Sequence, residues 1–563
     1  MPFLLCPSLA MLSGMNGTNG TNSSKRLIET LESRRLLSVG GTPFQIGADG
    51  FDMGKRILAT PDGGFVAAGL FTGKVDFDPT SGTRYRTAQG DTDIYVAKYS
   101  ASGALQWVDQ FGSDELENGI NDQEFIDIAA DPQRAGLPFI NGVTSDPRDA
   151  AEYINDLALA RDGNIIVAGS FVGRVDFDPG KKSRVFTTFD NSYHDAFVIT
   201  LGHSSGRLVW ADQIGGRFTD TVTALAVDTS GSIFATGLFT RTVSFIQNNP
   251  DFTFTASGRA DAFVLKMSAK GAIRWVDTFG GDATDKPDRD AGQAIAVDSS
   301  GNVFVGGIFS GKTDFDPSPT AQTIVKPDKQ SDAVVVKYNT NGKFLKVASF
   351  GGRGYDGVSA LAVDSSNNVI VAGYFQGDEF DADPGAGVQT LEASRDKDGD
   401  KTDFTDLFIE KLSGSTLSMQ WVRQLSGTGT EFADDMAIDS ADNIIIGGAY
   451  YGTATFGSGG PTVTSVEGLD DFNDSNDKDR EESYDIFLWK MNSSGTTSWV
   501  RTVGSAGDDY GGGVSLQSDD TILFTGRYRG TTDFDPASAI KRLRGFGVAD
   551  AFVTAFDASG ILE

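Results

Sequence analysis

Apolar residues along the chain occur in short runs, and one succession of runs recurs several times. Residues 224–245 (ALAVDTSGSIFATGLFTRTVSF) match 294–315 (AIAVDSSGNVFVGGIFSGKTDF) and match 360–380 (ALAVDSSNNVIVAGYFQGDEF). Repetition of this kind is typical of a fold assembled from copies of one supersecondary unit. More distant copies complete the series and begin near Ile57, Leu157, Met436 and Val514.

Each copy predicts four short antiparallel strands. Turn residues such as DGG at 62–64 and SGN at 300–302 separate the first apolar run from the second, as in a β-hairpin. A glycine stands late in the second run, an aspartate opens the third, and a tryptophan centres the fourth in most copies. We interpret the aspartate as a residue that fixes a turn and the tryptophan as a residue that packs between units. The glycines are Gly69, Gly169, Gly237, Gly307, Gly373, Gly448 and Gly526; the aspartates are Asp93, Asp195, Asp261, Asp332, Asp406, Asp485 and Asp550; the tryptophans are Trp107, Trp210, Trp275, Trp421 and Trp499, with Lys346 in the fourth copy.

Seven four-stranded units predict an all-β fold, a seven-bladed β-propeller over residues 42–563. The sequence ends at 560–563, where the fourth strand of the seventh unit should begin. Residues 42–47 (TPFQIG) align with 107–112 (WVDQFG), the fourth run of the first unit. We therefore expect an N-terminal strand to complete the last blade and close the ring, which removes an exposed sheet edge.

Four features of the units carry a family resemblance. They are the AVDxxGN turn (294–302 has AIAVDSSGN), the Gly-x-Phe end of the second run, the DAFV opening of the third (261–264) and the Gly-x-x-x-Trp approach to the fourth. The pattern resembles the bacterial seven-bladed β-propeller repeat family known as SBBP, over about residues 42–563. The Trp-Asp signature of WD40 repeats and the double glycine of kelch repeats are absent from the corresponding places. The resemblance implies a fold and says almost nothing about activity.

Three insertions interrupt the repeat, at 113–152, 385–402 and 457–483. They fall between strands 4 and 1 or between strands 2 and 3, and in an antiparallel blade these two kinds of loop lie on the same face. Loops of the other face are short. Because function is often carried by elaborated loops on a rigid scaffold, we expect a ligand site on the face with the long loops.

Paired aspartates recur where the second strand ends, in VDFDP at 75–79 and 175–179 and in TDFDP at 313–317 and 532–536. Two interpretations stay open. Carboxylates at i and i+2 lie on one side of an extended segment and could share a cation. Alternatively, each aspartate bonds nearby backbone amides and forms a turn. The pairs are Asp76/Asp78, Asp176/Asp178, Asp314/Asp316, Asp381/Asp383 and Asp533/Asp535.

The insertion of the fifth unit contains the strongest candidate metal ligands, Asp396, Asp398, Asp400 and Asp403. Alternating carboxylates suit Ca²⁺, which takes six to eight oxygen ligands. The stretch departs from the EF-hand pattern, because Gly399 stands at its fourth position instead of the sixth. The alternative is a solvated acidic loop, and 470–482 (DDFNDSNDKDREE) is a second, less regular candidate.

The net charge of −30 argues against nucleic acid as a partner, since such a protein needs a basic face. No apolar run reaches the length of a membrane span. Catalytic signals are few: the only histidines are His194 and His203, and the single cysteine, Cys6, precedes the repeats. We therefore expect a protein that is not an enzyme, is monomeric, and binds a protein or glycan on the long-loop face.

Residues 1–41 precede the repeats, and we expect them to form a disordered leader, since 15–24 (MNGTNGTNSS) is polar and of low complexity. Within it, 27–38 (LIETLESRRLLS) resembles the N-terminal LEPR-XLL motif of large planctomycete surface proteins, with Ser33 where that motif has proline. The resemblance implies export or surface sorting; the alternative is a short amphipathic helix. The hypothesis is thus an exported or cell-surface binding scaffold, assisted by calcium. The alternatives are a carbohydrate-active hydrolase or lyase and a purely structural protein.

Overall fold

The structure is a computed structural model, and it describes residues 43–48, 50–113, 152–178, 180, 182–190, 193–246, 249–281, 290–316, 318, 323–325, 327, 330–395, 404–466, 483–535 and 540–563. All of them belong to a compact unit that spans 36–563, whereas a second unit, 1–35, lies outside the described residues. The described chain is all-β, and its helical content is one 3₁₀ turn, Pro250–Phe252. In this part of the chain no helix is long and apolar enough to cross a membrane.

Following the sequence repeat, we divide the strands into seven groups, which we call modules 1 to 7. The hydrogen-bonded sheets do not coincide with them throughout: strands of modules 2 and 3 form one eight-stranded sheet, and the outer strands of module 6 extend the sheet of module 5. A short strand, β1 (Phe44–Ile46), precedes them. Module 1 contains β2 (Met53–Ala59), β3 (Phe65–Asp76), β4 (Tyr85–Tyr99) and β5 (Leu105–Phe111). Module 2 contains β6 (Glu152–Leu159), β7 (Ile165–Phe171), β8 (Arg174–Asp176), β9 (Val185–Thr187), β10 (Asp195–Leu201) and β11 (Leu208–Gly216). Module 3 contains β12 (Asp220–Val227), β13 (Ile233–Ser244), β14 (Thr253–Met267) and β15 (Ile273–Phe279).

The remaining modules repeat this plan. Module 4 contains β16 (Ala291–Val297), β17 (Val303–Ser310), β18 (Thr313–Asp314), β19 (Ile324–Val325), β20 (Ser331–Tyr338) and β21 (Phe344–Phe350). Module 5 contains β22 (Gly357–Val363), β23 (Val369–Phe375), β24 (Phe380–Asp381), β25 (Thr390–Leu391), β26 (Asp406–Leu412) and β27 (Met419–Gly427). Module 6 contains β28 (Glu431–Ile438), β29 (Ile444–Tyr451), β30 (Thr453–Phe456), β31 (Thr462–Thr464), β32 (Tyr484–Met491) and β33 (Thr497–Val503). Module 7 contains β34 (Tyr510–Leu516), β35 (Ile522–Tyr528), β36 (Thr531–Asp533), β37 (Arg542–Arg544) and β38 (Asp550–Phe556).

Each module carries a small outer hairpin between its second and third main strands. In modules 2, 4, 5, 6 and 7 it is a separate pair of short strands, such as β8 and β9. In modules 1 and 3 the long second and third strands themselves pair beyond a register shift. Part of two predicted insertions therefore belongs to this common hairpin, because 385–402 includes β25 and 457–483 includes β31.

Module 7 has three main strands of its own, and β1 stands in the fourth place. It pairs antiparallel with β38, with Phe44 opposite Val553 and Ile46 opposite Ala551. Phe44 also packs on module 1, where its ring centroid lies 5.2 Å from that of Tyr99. The strand thus joins the sheet of module 7 to the core of module 1.

Successive modules contact each other through their first strands. The contacts run from β2 to β6, β12, β16, β22, β28 and β34 in turn, and β34 also contacts β2. Second and third strands are buried where a neighbouring module covers each face, as in β7 and β10. The parts of β3, β13 and β14 that extend into the outer hairpins are partly exposed. Fourth strands are partly exposed. The apolar clusters accordingly combine residues of adjacent modules.

Candidate functional site

Most repeated polar residues hold the modules together, and the paired aspartates are the first example. Asp76 Oδ1 accepts hydrogen bonds from the backbone N–H of Asp78 (3.2 Å) and Arg84 (2.7 Å), which lie across the turn of the outer hairpin. Phe77, between the two aspartates, is buried. The first aspartate of the other four pairs makes the same two kinds of bond. The structure therefore supports the turn interpretation of these pairs.

The aspartates and tryptophans of the third and fourth strands also have structural roles. Asp93 accepts a bond from the backbone N–H of Gln89 (3.1 Å) and from the side-chain amide of Gln110 (2.5 Å). Trp107 donates from Nε1 to the carbonyl of His203 in module 2, at 3.0 Å. Other tryptophans bond the next module in the same way. These contacts confirm the roles in turns and in packing that the sequence predicts.

A second set of repeated acids was missed in the sequence. It lies at the start of the first strand, and in five modules the acid interacts electrostatically with the third-strand aspartate of the preceding module. Burial raises the pKa of Asp52, for example, to about 7, and the charge of Asp550 adds to this shift. The signal was present, because each acid stands at a constant distance before the glycine of the second strand. The set is Asp52, Glu152, Asp220, Asp290, Asp356, Glu431 and Asp509, all of them buried.

A β-bulge interrupts every first strand at the same place, close to its beginning. Bulges bend a strand and turn a side chain out of the regular alternation, and they are common beside functional sites. The bulged residue is polar in six modules and is replaced by a pair of glycines in module 7. The bulges lie at Lys55, Asn155, Thr223, Gln293, Ser359, Asp434 and Gly512–Gly513.

The residue at the bulge and the residue after it are neutral in some modules and charged in others, and we call these two groups of modules the neutral part and the charged part. In modules 3, 4 and 5 the bulged residue is uncharged and is followed by alanine. In modules 1 and 6 both positions are charged, and in module 2 a charged residue, Asp156, follows the bulged Asn155. We call this group the charged sector and define it as Lys55, Arg56, Asp156, Asp434 and Asp435. Because the repeat itself needs no charge here, the charged sector is the candidate functional site.

Two ion pairs connect the charged sector. Arg56 Nε lies 3.4 Å from Asp156 Oδ1 of module 2. Lys55 Nζ lies 3.9 Å from Asp434 Oδ1 of module 6, so this pair reaches past the first strand of module 7. Module 7 has glycines at this place because a side chain would not fit. A Cβ on Gly512 or Gly513 would lie 2.6 Å from backbone atoms of module 1.

Burial shifts Lys55, Asp156 and Asp434 toward neutrality. It lowers the pKa of Lys55 to about 8, against the opposing effect of the Asp434 carboxylate. It raises the pKa of Asp156 and of Asp434 to about 6, while Lys55 and Arg56 act in the opposite direction on Asp434. Titratable groups with such shifts, close together, are typical of functional sites.

The acids of the sector differ in what they bind. Asp156 accepts a bond from the backbone N–H of Leu225 (2.7 Å) and Asp435 from that of Val514 (2.9 Å), so both hold neighbouring modules. Asp434 Oδ2 is buried and accepts no hydrogen bond from a described residue. Asp434 therefore keeps one acceptor oxygen that no described residue uses, next to Lys55.

The predicted metal ligands Asp396, Asp398, Asp400 and Asp403 lie outside the described residues, as do 114–151 and 467–482 of the insertions. Within the described ranges no three His, Cys, Asp or Glu side chains are grouped as a metal site requires. His194 packs near Tyr153, with ring centroids 5.6 Å apart. His203 lies beside Lys98, whose Nζ is 2.7 Å from Asp62.

Comparison with known proteins gives distant relatives. No protein-family profile matches the chain. The uncharacterized WD repeat-containing protein L264 of Acanthamoeba polyphaga mimivirus is 22% identical over 352 residues, 57% of this chain and 24% of that protein. Regulatory protein FlaEY of Caulobacter vibrioides is 23% identical over 347 residues, 61% of this chain and 32% of that protein. The alignments thus span about a quarter and a third of these relatives.

Solved structures of similar topology include propellers. The Dos1 propeller has a TM-score of 0.39 and 8% identity, and the match covers 93% of this chain and 87% of that one. A PL25 ulvan lyase has a TM-score of 0.35 and 11% identity, covering 90% and 97%. Similarity at this level carries no argument about function. The chain is an all-β protein with WD-repeat and propeller proteins among its neighbours.

Proposed function

We propose that the chain is a closed seven-bladed β-propeller of the SBBP kind that serves as an exported binding scaffold. The cyclic contacts of the first strands support seven blades, and the pairing of β1 with β38 supports closure. A propeller presents a rigid set of loops around its first strands, which suits binding better than it suits a large conformational change.

The charged sector is the proposed centre of the binding site. The observation that carries this proposal is the concentration of five charged residues at positions where modules 3 to 5 have neutral residues and alanine. Packing alone does not call for buried charges, which are costly to desolvate. The bulges lie near the start of each first strand, where the loop from the preceding fourth strand enters. A ligand bound to the charged sector would therefore also contact the long-loop face.

Binding can be tested with an array of bacterial glycans and a peptide library, both probed with the full chain. We expect a ligand on one of them, and we expect Lys55→Met and Asp434→Asn to weaken its binding. The matched control is Gln293→Ala, which changes a bulged residue of the neutral part. No ligand on either array, or a ligand unaffected by both sector variants, would contradict the proposal.

Calcium and export are further parts of the proposal, and both rest on sequence alone. Asp396, Asp398, Asp400 and Asp403 would supply carboxylate oxygens to Ca²⁺. A ligand that binds only the folded state raises the unfolding midpoint, so Ca²⁺ should raise it and EDTA should reverse the effect. The variant with all four aspartates changed to asparagine should not respond. Export by way of 27–38 would be tested by locating the chain with and without that segment.

One observation favours an enzyme as the second candidate. Lys55 and Asp434 are neighbours whose pKa values, about 8 and about 6, both lie near neutrality, as a general acid (Lys55) and a general base (Asp434) require. A hydrolase or lyase acting on carbohydrate would release new chain ends from a polysaccharide. Turnover that is lost in Lys55→Met and in Asp434→Asn would establish this alternative over the scaffold.

A further inference from the structure

One arginine stands where the other six modules have a glycine. Where each second strand passes into the outer hairpin, one residue adopts a left-handed backbone conformation, which favours glycine because a Cβ is strained there. In module 3 this residue is Arg241, with φ of 55°, and it occupies the register shift between Thr240 and Thr242. The glycines of the other modules, all with positive φ, are Gly73, Gly173, Gly311, Gly377, Gly452 and Gly530.

The packing of the modules does not require a side chain at this place. A Cβ on Gly73 or on Gly377 would meet nothing within 4 Å, and the side chain of Arg241 is exposed. Strained backbone that packing does not explain is concentrated at functional sites, where another interaction compensates for the strain. Arg241 therefore calls for a role outside the folding of module 3.

Arg241 belongs to a group of residues at the junction of modules 2 and 3. Its guanidinium carbon lies 5.2 Å from the ring centroid of Phe218. The ring of Phe218 lies 5.2 Å from that of Tyr193, and the two ring planes meet at 61°. Arg217, which precedes Phe218 in the chain, has its guanidinium carbon 5.4 Å from the ring centroid of Phe189. We call these five residues the arginine–aromatic patch.

The arginine–aromatic patch lies on the long-loop face and is open to solvent. Phe189 and Tyr193 belong to the loop between the second and third main strands of module 2. Arg217 and Phe218 belong to the loop that leads from module 2 into module 3. The side chain of Phe189 is 70% exposed, and those of Tyr193 and Phe218 are partly exposed. Arg217 and Arg241 are both exposed, and neither forms an ion pair or hydrogen bond with a side chain of the described residues.

We propose that the arginine–aromatic patch docks an acidic peptide segment of a partner protein, in which carboxylates stand beside an apolar side chain. Two neighbouring arginines without a carboxylate are complementary to an anionic ligand, and they stand out in a chain with a net charge of −30. A guanidinium binds a carboxylate through two parallel hydrogen bonds. The exposed ring of Phe189 offers the contact for the apolar side chain.

The composition and geometry of the patch favour a peptide over other anionic ligands. Arginine and aromatic residues are enriched in protein interfaces and supply much of their binding energy. The rings of Tyr193 and Phe218 meet at 61°, so they form no flat platform on which a sugar ring could stack. A second copy of this chain carries the same charge of −30 and is repelled as a whole. A short acidic segment can pair with both arginines without that repulsion.

The test selects short random peptides, displayed on phage, against the full chain, and measures the affinity of each selected peptide by fluorescence anisotropy. We expect the selected peptides to be rich in aspartate and glutamate next to apolar residues. Their affinity for the double variant Arg217→Gln/Arg241→Gln should fall about tenfold or more, because charge-assisted hydrogen bonds are lost. The same peptides with asparagine and glutamine in place of their acids should bind the wild type equally weakly.

A second variant separates binding from folding. Arg241→Gly gives module 3 the residue that the other six modules have, so its unfolding midpoint should equal or exceed that of the wild type. Its affinity for the selected peptides should nevertheless fall several-fold, and a loss of stability cannot explain that fall. The matched control is Arg207→Gln, because Arg207 is exposed in the turn between the third and fourth strands of module 2, on the opposite face. This variant should bind like the wild type.

The arginine–aromatic patch is separate from the charged sector, and the outcomes distinguish the two. Selected peptides that lack acidic residues, or that bind both arginine variants as they bind the wild type, overturn the inference. It is also overturned if Lys55→Met or Asp434→Asn abolishes peptide binding and the arginine variants do not, and the proposed scaffold then remains in place. Loss of glycan binding or of self-association in the double variant, without an effect on peptides, would assign the patch to a saccharide or to a second copy. If peptide binding depends on the arginines and no ligand depends on the charged sector, the inference stands and the proposed centre of the binding site fails.

Discussion

Asp52 and Asp550 lie on either side of Gly47, although one precedes the first strand of module 1 and the other opens the last strand of module 7. Both are fully buried. A Cβ on Gly47 would come within 2.0 Å of Asp550 Oδ1 and 3.0 Å of Asp52 Oδ2. The same arrangement recurs along the chain, since a glycine packs on Asp93 and another on Asp195. The junction between modules 7 and 1 is therefore built like the junctions within the chain.

The buried acids at the junctions predict that stability falls as the pH rises. Burial raises the pKa of Asp52, Asp195 and Asp485 to about 7 and that of Asp93 to about 6. Between the usual aspartate pKa of about 4 and these values, the folded state binds more protons than the unfolded state, so the free energy of unfolding decreases with pH. We expect the thermal midpoint to be several degrees higher at about pH 5 than at about pH 8.

Asp52→Asn provides the control for that prediction. The N–H of Ala48 bonds Oδ2 and that of Thr72 bonds Oδ1, so the amide keeps an acceptor for one of them, while its NH2 group faces the other donor. Because it has no charge to desolvate, the variant should lose part of the decline with pH, although the lost hydrogen bond lowers its stability at every pH. A midpoint that is constant or rises over this pH range would show that the paired acids do not govern stability.

Removal of β1 should destabilise module 7. A chain lacking residues 1–46 loses the pairing of Phe44 with Val553 and the packing of Phe44 on Tyr99. It leaves the edge of β38 unpaired, which invites association with other chains. We expect a lower thermal midpoint and larger species in size-exclusion chromatography with light scattering. A chain lacking only 1–41 should behave like the full chain, and equal behaviour of the two truncations would contradict closure by β1.

The packing of glycine on tryptophan between modules can be measured with two alanine substitutions. Gly206 and Gly73 have similar backbone angles, with φ of 66° and 61°. A Cβ on Gly206 would lie 3.0 Å from the Trp107 ring and 2.2 Å from Asp109 Oδ2, whereas a Cβ on Gly73 meets nothing within 4 Å. Gly73→Ala should cost about 1 kcal/mol through backbone strain. Gly206→Ala should cost about 1–3 kcal/mol more, because overpacking adds to the strain. Equal losses in denaturant unfolding would show that the junction accommodates the methyl group.

The paired aspartates should behave as turn residues and not as cation ligands. Asp176 accepts hydrogen bonds from the backbone N–H of Arg184 (2.7 Å) and Asp178 (3.1 Å), and hydrogen bonding lowers its pKa although burial opposes this. Asp176→Ala should reduce the free energy of unfolding by about 1–2 kcal/mol, since two donors lose a charged acceptor. Asp178→Ala should cost less, because among the described residues the Asp178 carboxylate accepts one backbone hydrogen bond, from the N–H of Gly180 (2.9 Å). A Ca²⁺-dependent midpoint that disappears in both variants would favour the shared-cation interpretation.

What the sequence determined by itself is the repeating unit. Some features follow from contacts between residues close in the chain, such as the turn between first and second strands and the role of Asp93. Others, such as the strand order and the role of Trp107, follow from the strict repetition of the units. The fit of residues 42–47 to the fourth-strand pattern predicted where β1 lies, because a sheet edge accepts a strand of matching apolar pattern. The turn and cation interpretations of Asp176 and its counterparts remained open until backbone donors were located.

Only the tertiary structure decided which polar residues meet. A bulge shifts one residue without changing the apolar pattern, so the sequence gives no sign that Lys55 and Asp434 leave the regular alternation of their strands. Their proximity depends on the approach of modules 6 and 1 around the glycines of module 7. The contact of Arg241 with Phe218 likewise depends on the junction of modules 2 and 3. Local hydrogen bonds and apolar periodicity set the modules, whereas the site arises from distant segments that the packing of modules brings together.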